Sequence, residues 1–214
     1  MGSSHAEHTV SKNKIQANEV PAGGAPKGDA LLFVRNFFRH PRMLGSIIPS
    51  SRFLIKQLLE PIDWDKARVI VEYGPGVGGI TAEILRRMRP DARLIAIEMN
   101  PEFVSFLRKT LVDERFHVVE ASAADVREIM QRLGHSKADY IISGIPLGSM
   151  PQAVREPILR NTCEALGAGG SFLVFQFTTR VLPDLNRFFR YVKRKFEPLN
   201  ILPAHLFFCQ PGTA

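Results

Sequence analysis

The chain predicts an α/β fold, a mostly parallel sheet wrapped by helices, with helices ahead of it and an antiparallel strand at its C-terminal edge. Three observations carry this. Short apolar or β-branched runs at 68–73, 92–98, 116–120, 138–143 and 170–177 alternate with stretches of helical pattern, the rhythm of parallel strands joined by helical crossovers. The first run opens into the turn Glu72-Tyr73-Gly74-Pro75-Gly76-Val77-Gly78, where missing Cβ atoms let backbone amides approach a ligand. The second run, Leu94-Ile95-Ala96-Ile97, ends in Glu98, about 20 residues beyond the last of these glycines, where a ribose-binding carboxylate stands in nucleoside-binding βαβ units.

In chain order, residues 1–28 are polar and end in Pro21, Gly23, Gly24, Pro26 and Gly28, a composition expected of a flexible tail. Residues 29–60 have helical pattern, broken at His40-Pro41 and at Gly45-Ser46-Ile47-Ile48-Pro49-Ser50-Ser51, so two helices and a bent loop precede the sheet. The five runs follow. The segment from Phe196 to Gln210 carries Pro198, Pro203 and the apolar run Leu206-Phe207-Phe208, which suits an antiparallel pair at the sheet edge.

A chain of 214 residues with 45% hydrophobic and 23% charged residues is able to bury one substantial core. Cys163 and Cys209 lack metal-ligand spacing and are expected to be reduced core thiols, in keeping with a cytoplasmic location. No apolar stretch approaches the ~20 residues that span a bilayer, and the first 28 residues lack the apolar core of a secretory signal. The net charge of +7 draws the protein towards polyanions, either nucleic acid or anionic lipid.

The even spacing of Gly74, Gly76 and Gly78, with Glu72 two residues ahead, departs from the G-x-G-x-x-G of nicotinamide sites. It resembles the first motif of class I S-adenosylmethionine-dependent methyltransferases. That resemblance implies their Rossmann-like sheet and S-adenosylmethionine as cofactor. It implies that the glycine turn wraps the methionine and ribose parts, that Glu98, followed by Met99, takes both ribose hydroxyls, and that Ser122 meets the adenine amino group. Relatives often carry Gly-Asp where Ala121-Ser122 stands here, and Asp125 reads as a helix N-cap. Glu72 either reaches the cofactor ammonium through water or merely ends a strand.

The fourth run leads into Ser143-Gly144-Ile145-Pro146-Leu147. Amino-methylating relatives have an Asn-Pro-Pro-Tyr type turn here, and this chain has neither the asparagine nor the aromatic residue. Ser143 and the carbonyls of Gly144 and Ile145 remain to orient an amine. Leu147 removes the plate on which a flipped base would stack. Together with Phe37-Phe38-Arg39-His40-Pro41 and Gly45 to Ser51, these motifs make residues 29–210 resemble the bacterial phospholipid N-methyltransferases, which are similar in turn to the ribosomal RNA adenine dimethyltransferases. The resemblance implies stepwise methylation of phosphatidylethanolamine towards phosphatidylcholine at the inner face of the membrane. It also implies a methyltransferase domain at 29–214 whose helices at 29–60 form a cover, with Ser50 and Ser51 over the methionine end of the cofactor. Capping of a helix that starts near Phe53 is the other reading of those serines.

Ala30, Phe33, Val34 and Phe37 share one helical face and Arg35 and Arg39 the other, a pattern suited either to a lipid interface or to packing on the sheet. A second basic stretch, Arg187 to Phe196, holds Arg187, Arg190, Lys193, Arg194 and Lys195 among aromatics. It fits an anionic leaflet, a phosphate backbone, or a solvated edge element. An RNA adenine methyltransferase and a non-catalytic membrane-associated binding protein are the alternatives to a phospholipid enzyme. No metal site is expected.

Overall fold

A computed structural model of the chain describes residues 51–200 and 202–212. The expected helix at 30–38, the bent loop and Ser50 lie outside the described residues. Helix α1 (Arg52–Leu59) starts at Ser51, whose hydroxyl accepts a hydrogen bond from the Leu54 amide at 3.2 Å. Seven strands follow, β1 (Val69–Tyr73), β2 (Arg93–Glu98), β3 (Phe116–Glu120), β4 (Ala138–Ser143), β5 (Leu166–Gln176), β6 (Tyr191–Glu197) and β7 (Ala204–Gln210). Between them run α2 (Gly79–Arg87), α3 (Pro101–Thr110), α4 (Val126–Arg132), α5 (Gln152–Ala165) and α6 (Leu182–Phe188).

The sheet order is β3-β2-β1-β4-β5-β7-β6. Strands β1 to β5 are parallel to one another, and β7 is antiparallel to both β5 and β6. The antiparallel pair expected at the C-terminal edge is present, and its outer member is β6. Much of the basic stretch 187–196 is therefore an edge strand, and the strand pair begins at Tyr191, earlier than the proline-marked segment suggested. Strand β5 likewise starts before 170, because Gly169, at φ 78°, and a register irregularity at Ala138/Tyr140 carry pairing back to Leu166.

Each face of the sheet has its own core. Leu54, Leu58, Ile80 and Ile84 from α1 and α2 pack with Ile70, Leu94, Ile142, Leu173 and Leu206 on one face. Val126, Ile129, Ile158, Leu159 and Leu185 from α4, α5 and α6 pack with Val71, Ile95, Ile141, Phe172 and Phe207 on the other. A central strand covered on both faces reads as a continuous apolar run, as β1 and β2 do. Both cysteines are free thiols, Cys209 buried and Cys163 partly so. The strand order reverses between β1 and β4, and in open α/β sheets the crevice beyond the strand carboxyl ends at such a point binds ligands.

Candidate active site

The glycine turn lies at that crevice. Gly74, Gly76 and Gly78 have φ of 66°, 56° and 82°, a region that residues with a Cβ enter only with strain. A Cβ on Gly74 would stand 2.6 Å from Cγ2 of Ile145, so this turn fits only a glycine against the loop after β4. At Gly76 a Cβ would meet nothing within 4 Å, which leaves its face open to the cleft. The turn is pinned at both sides, since Gly74 N donates to Ile97 O at 2.9 Å and Gly144 N donates to Tyr73 O at 3.0 Å.

Glu98 ends β2 and is 2% exposed. Its carboxylate accepts from Gly76 N at 3.3 Å and Asn100 N at 2.9 Å, so backbone donors fix it at the cleft wall. Burial raises its pKa above the ordinary carboxylate value, and these backbone donors oppose the rise. Met99 and Ser122 line the same cleft, with Ile97, Ile145, Met150, Val154 and Ile158 as its apolar wall. The cleft is partly open to solvent. Ser122 Oγ also accepts from Ala124 N at 3.2 Å, capping the short turn Ala123–Asp125. Asp125 stands at the start of α4 and makes no side-chain cap.

Glu72 is buried at the end of β1, where its Oε2 accepts from the Thr81 hydroxyl at 2.7 Å. Burial pushes its pKa up to about 7, the nearby Glu98 charge adds to the rise, and the Thr81 bond opposes it. Ser51 is half-buried at the start of α1. Its amide donates to Asn200 Oδ1 at 2.9 Å, tying the start of α1 to the loop between β6 and β7.

The turn after β4 is the other wall. Ser143 is fully buried and its hydroxyl has no partner among the described residues. Ile145 O accepts from Gln176 Nε2 at 2.8 Å and Leu147 N at 2.9 Å, so both lone pairs are engaged inside the protein. Of the three expected acceptors, Ile145 thus contributes its side chain to the cleft. Gln176, overlooked in the sequence, is 5% exposed and also accepts from Gly148 N at 3.0 Å. It braces the loop after β4 from the end of β5. Its signal was there to find: a lone polar residue inside the run Phe172 to Phe177 needs a partner when buried. Met150, Val154 and Ile158 carry no such signal, because apolar residues of a loop and a helix look alike whether they line a cleft or a core. His205 packs against the rings of Phe196 and Phe207, with centroids at 5.0 Å and 6.3 Å, and burial lowers its pKa.

Residues 65–204 match a family model described as methyltransferase domain. The chain belongs to the class I S-adenosylmethionine-dependent methyltransferases. S-adenosylmethionine is its cofactor, and the open glycine turn and the backbone-held Glu98 carboxylate fit such a molecule. Over 184 residues the chain is 36% identical to an ornithine lipid N-methyltransferase of Singulisphaera acidiphila, covering 85% of this chain and 96% of that protein. A shorter match, 31% over 106 residues, links it to ribosomal RNA small subunit methyltransferase A of Mycoplasma capricolum, covering 48% of this chain and 38% of that one. Among solved structures, a Burkholderia thailandensis 1,6-didemethyltoxoflavin-N1-methyltransferase with bound S-adenosylhomocysteine superimposes with a TM-score of 0.66 at 16% identity, covering 91% of this chain and 94% of that one. Human methyltransferase-like protein 13 in complex with the same product gives 0.55 at 18% identity, covering 82% of each chain. The fold of this methyltransferase is thus shared well beyond the reach of its sequence.

Proposed function

We propose that the enzyme transfers methyl groups to the amine of a membrane-lipid head group, with phosphatidylethanolamine as substrate and phosphatidylcholine as the end of the series. The observation that carries this reading is the turn after β4. A Cβ on Gly144 would come 3.2 Å from Gly74 O and 3.3 Å from Phe175 Cε1, so the turn is fitted to a residue without a side chain. With no amide there and no aromatic at Leu147, the means of holding an extruded adenine are missing. A small, flexible amine needs neither. The ornithine lipid relative supports an acceptor that is a lipid amine.

The reacting nitrogen must be a free base. Its lone pair displaces the sulfonium, the C–N bond forming as the S–C bond breaks, and its proton goes to solvent. Catalysis is then alignment and exclusion of water. The Gly144 carbonyl and the Ser143 hydroxyl, which has no partner among the described residues, orient the amine. On the cofactor side Gly74, Gly76 and Gly78 bring backbone amides close, Glu98 holds the ribose hydroxyls beside Met99, Ser122 meets the adenine, and Glu72 answers the ammonium. Ser51, at the start of α1, covers the methionine end.

A membrane position is supported by the rim of the site. Strand β6 runs parallel to β5, so Phe196, Leu199 and Leu202 lie at the same end of the sheet as Gly144, and the Ser51–Asn200 bond brings Phe53 there. These four are 55%, 63%, 43% and 57% exposed, and Arg52, Lys56 and Arg194 beside them are exposed cations. Apolar side chains with a basic fringe suit an anionic bilayer at the inner face of the cytoplasmic membrane, each cation adding about 1 kcal/mol at low salt. Among the described residues no helix is long and apolar enough to cross a membrane.

The test supplies labelled cofactor with anionic vesicles containing phosphatidylethanolamine, vesicles containing ornithine lipid, and ribosomal RNA. Label in phosphatidylethanolamine is expected, and it should fall as salt rises. Label confined to ornithine lipid would replace the substrate, and label confined to RNA would replace the reading. No label anywhere, with cofactor binding confirmed, would sink it.

A further inference from the structure

Two aromatic rings at the end of β5 have no part in the cofactor site. Phe175 is half-buried, and its edge lies 3.3 Å from the position a Cβ on Gly144 would take, with the Gly74 carbonyl 3.2 Å from that same point. Phe177 is 41% exposed and stands edge-on to Phe175, with centroids 6.1 Å apart and planes at 74°. Between them Gln176 points to the opposite face and clamps the loop after β4. Phe175 therefore lies beside Gly144, where the turn after β1 meets the turn after β4, and Phe177 stands against Phe175.

We propose that Phe175 and Phe177 form an aromatic wall that binds the alkylammonium of the acceptor and grades the successive methyl transfers. The proposal rests on the reading that the acceptor is a lipid amine. In each transfer positive charge moves from sulfur to nitrogen, the electrons of the broken S–C bond staying on sulfur. A ring face attracts a cation, so a wall beside the nitrogen favours the transition state over the neutral amine. Each methylation also removes an N–H that the Gly144 carbonyl could accept and adds a methyl that the rings welcome. Hydrogen bonding weakens along the series while the aromatic contact strengthens. A site with a backbone carbonyl and two rings can thus serve the unmethylated amine and its methylated successors in turn.

The test measures the rate of each transfer on vesicles of phosphatidylethanolamine and of its monomethyl and dimethyl forms, for the full chain and the variants Phe177→Leu, Phe175→Leu and Phe177→Tyr. Leucine keeps apolar bulk, and with it any contact with the bilayer, but has no ring. The leucine variants should slow the last transfer about fivefold and the first less than twofold, the scale of an exposed cation–π contact, while Phe177→Tyr stays near the parent. Equal slowing of all steps, or none, would overturn the proposal. A second arm uses no lipid. Calorimetry on the chain loaded with S-adenosylhomocysteine should show choline binding more tightly than its neutral carbon isostere, with the difference lost in Phe177→Leu. Equal binding of the two probes would also overturn it. If the parent methylates no lipid yet prefers choline, the lipid reading falls and the cation site stands.

Discussion

Around the ends of β1, β2 and β3 the cleft is closed by residues near in sequence, whereas around β4 and β5 it is closed by residues far apart. Glu98 is held by Asn100 and Gly76, two and 22 residues away, and Glu72 by Thr81, nine away. On the side proposed for the acceptor Gln176 reaches back 31 residues to Ile145, Ser51 is tied to Asn200 across 149, and Gln57 donates to Glu197 across 140. A wall made of consecutive strand–turn–helix units keeps its shape whatever the rest of the sheet carries. A wall made of four segments changes with any of them. That difference would let one cofactor serve many acceptors.

The comparison is tested most strongly at Glu72. Its folded-state pKa of about 7 lies above the ordinary 4.5, so the folded protein holds this proton more tightly than the unfolded chain. Its contribution to stability is full below pH 4.5, declines as pH rises to about 7 and is flat beyond. Glu72→Gln should remove that slope and raise stability at pH 8 by up to roughly 3 kcal/mol, read by denaturant unfolding across pH. Cofactor binding should show the opposite sign in the parent. A cationic ligand favours the ionised carboxyl, so affinity rises with pH through about 7, and Glu72→Gln abolishes the rise. A pH-independent affinity in the parent would detach Glu72 from the cofactor.

Next in size is Glu98→Ala. Loss of two hydrogen bonds to a carboxylate should weaken cofactor binding about a hundredfold in calorimetry, with the far-ultraviolet spectrum unchanged. Gln176→Leu, on the acceptor wall, should do the reverse. Turnover should fall about tenfold as the loop after β4 loosens, while cofactor affinity stays within about twofold. If both variants impair both readouts equally, the two walls are one cooperative unit.

The same contrast decides what the sequence revealed. The glycine turn, Glu98 and the five parallel strands were legible because each rests on local pattern, with glycine where φ is positive and a carboxylate at a strand end. Ser51 as a helix cap was legible too, as one of two readings. Its partner Asn200 was not, since nothing in a one-dimensional spacing links residues 149 apart. Nor was the engagement of the Ile145 carbonyl, which depends on a side chain from another strand. The place of β7 between β5 and β6 was hidden for a related reason. An apolar run shows that a strand is buried and leaves its neighbours unspecified.

The smallest expected effect isolates the longest tie. Asn200→Ala removes the acceptor of the Ser51 amide and the donor to Leu202 O, both at 2.9 Å. Two partly buried backbone groups lose their partners, at a cost of about 1–2 kcal/mol, or a few degrees in the unfolding midpoint of a chain this size. The capping bond from Leu54 to Ser51 is left intact, so α1 should keep its length and lose only its attachment to the β6–β7 loop. Methyl transfer to lipid should then fall several-fold with cofactor affinity unchanged, because Phe53 and the β6–β7 loop border the mouth proposed for the acceptor and make no hydrogen bond to the Glu98 network. A matching loss of cofactor affinity would mean that the mouth transmits strain to the glycine turn, and the division between a local and an assembled wall would have to be given up.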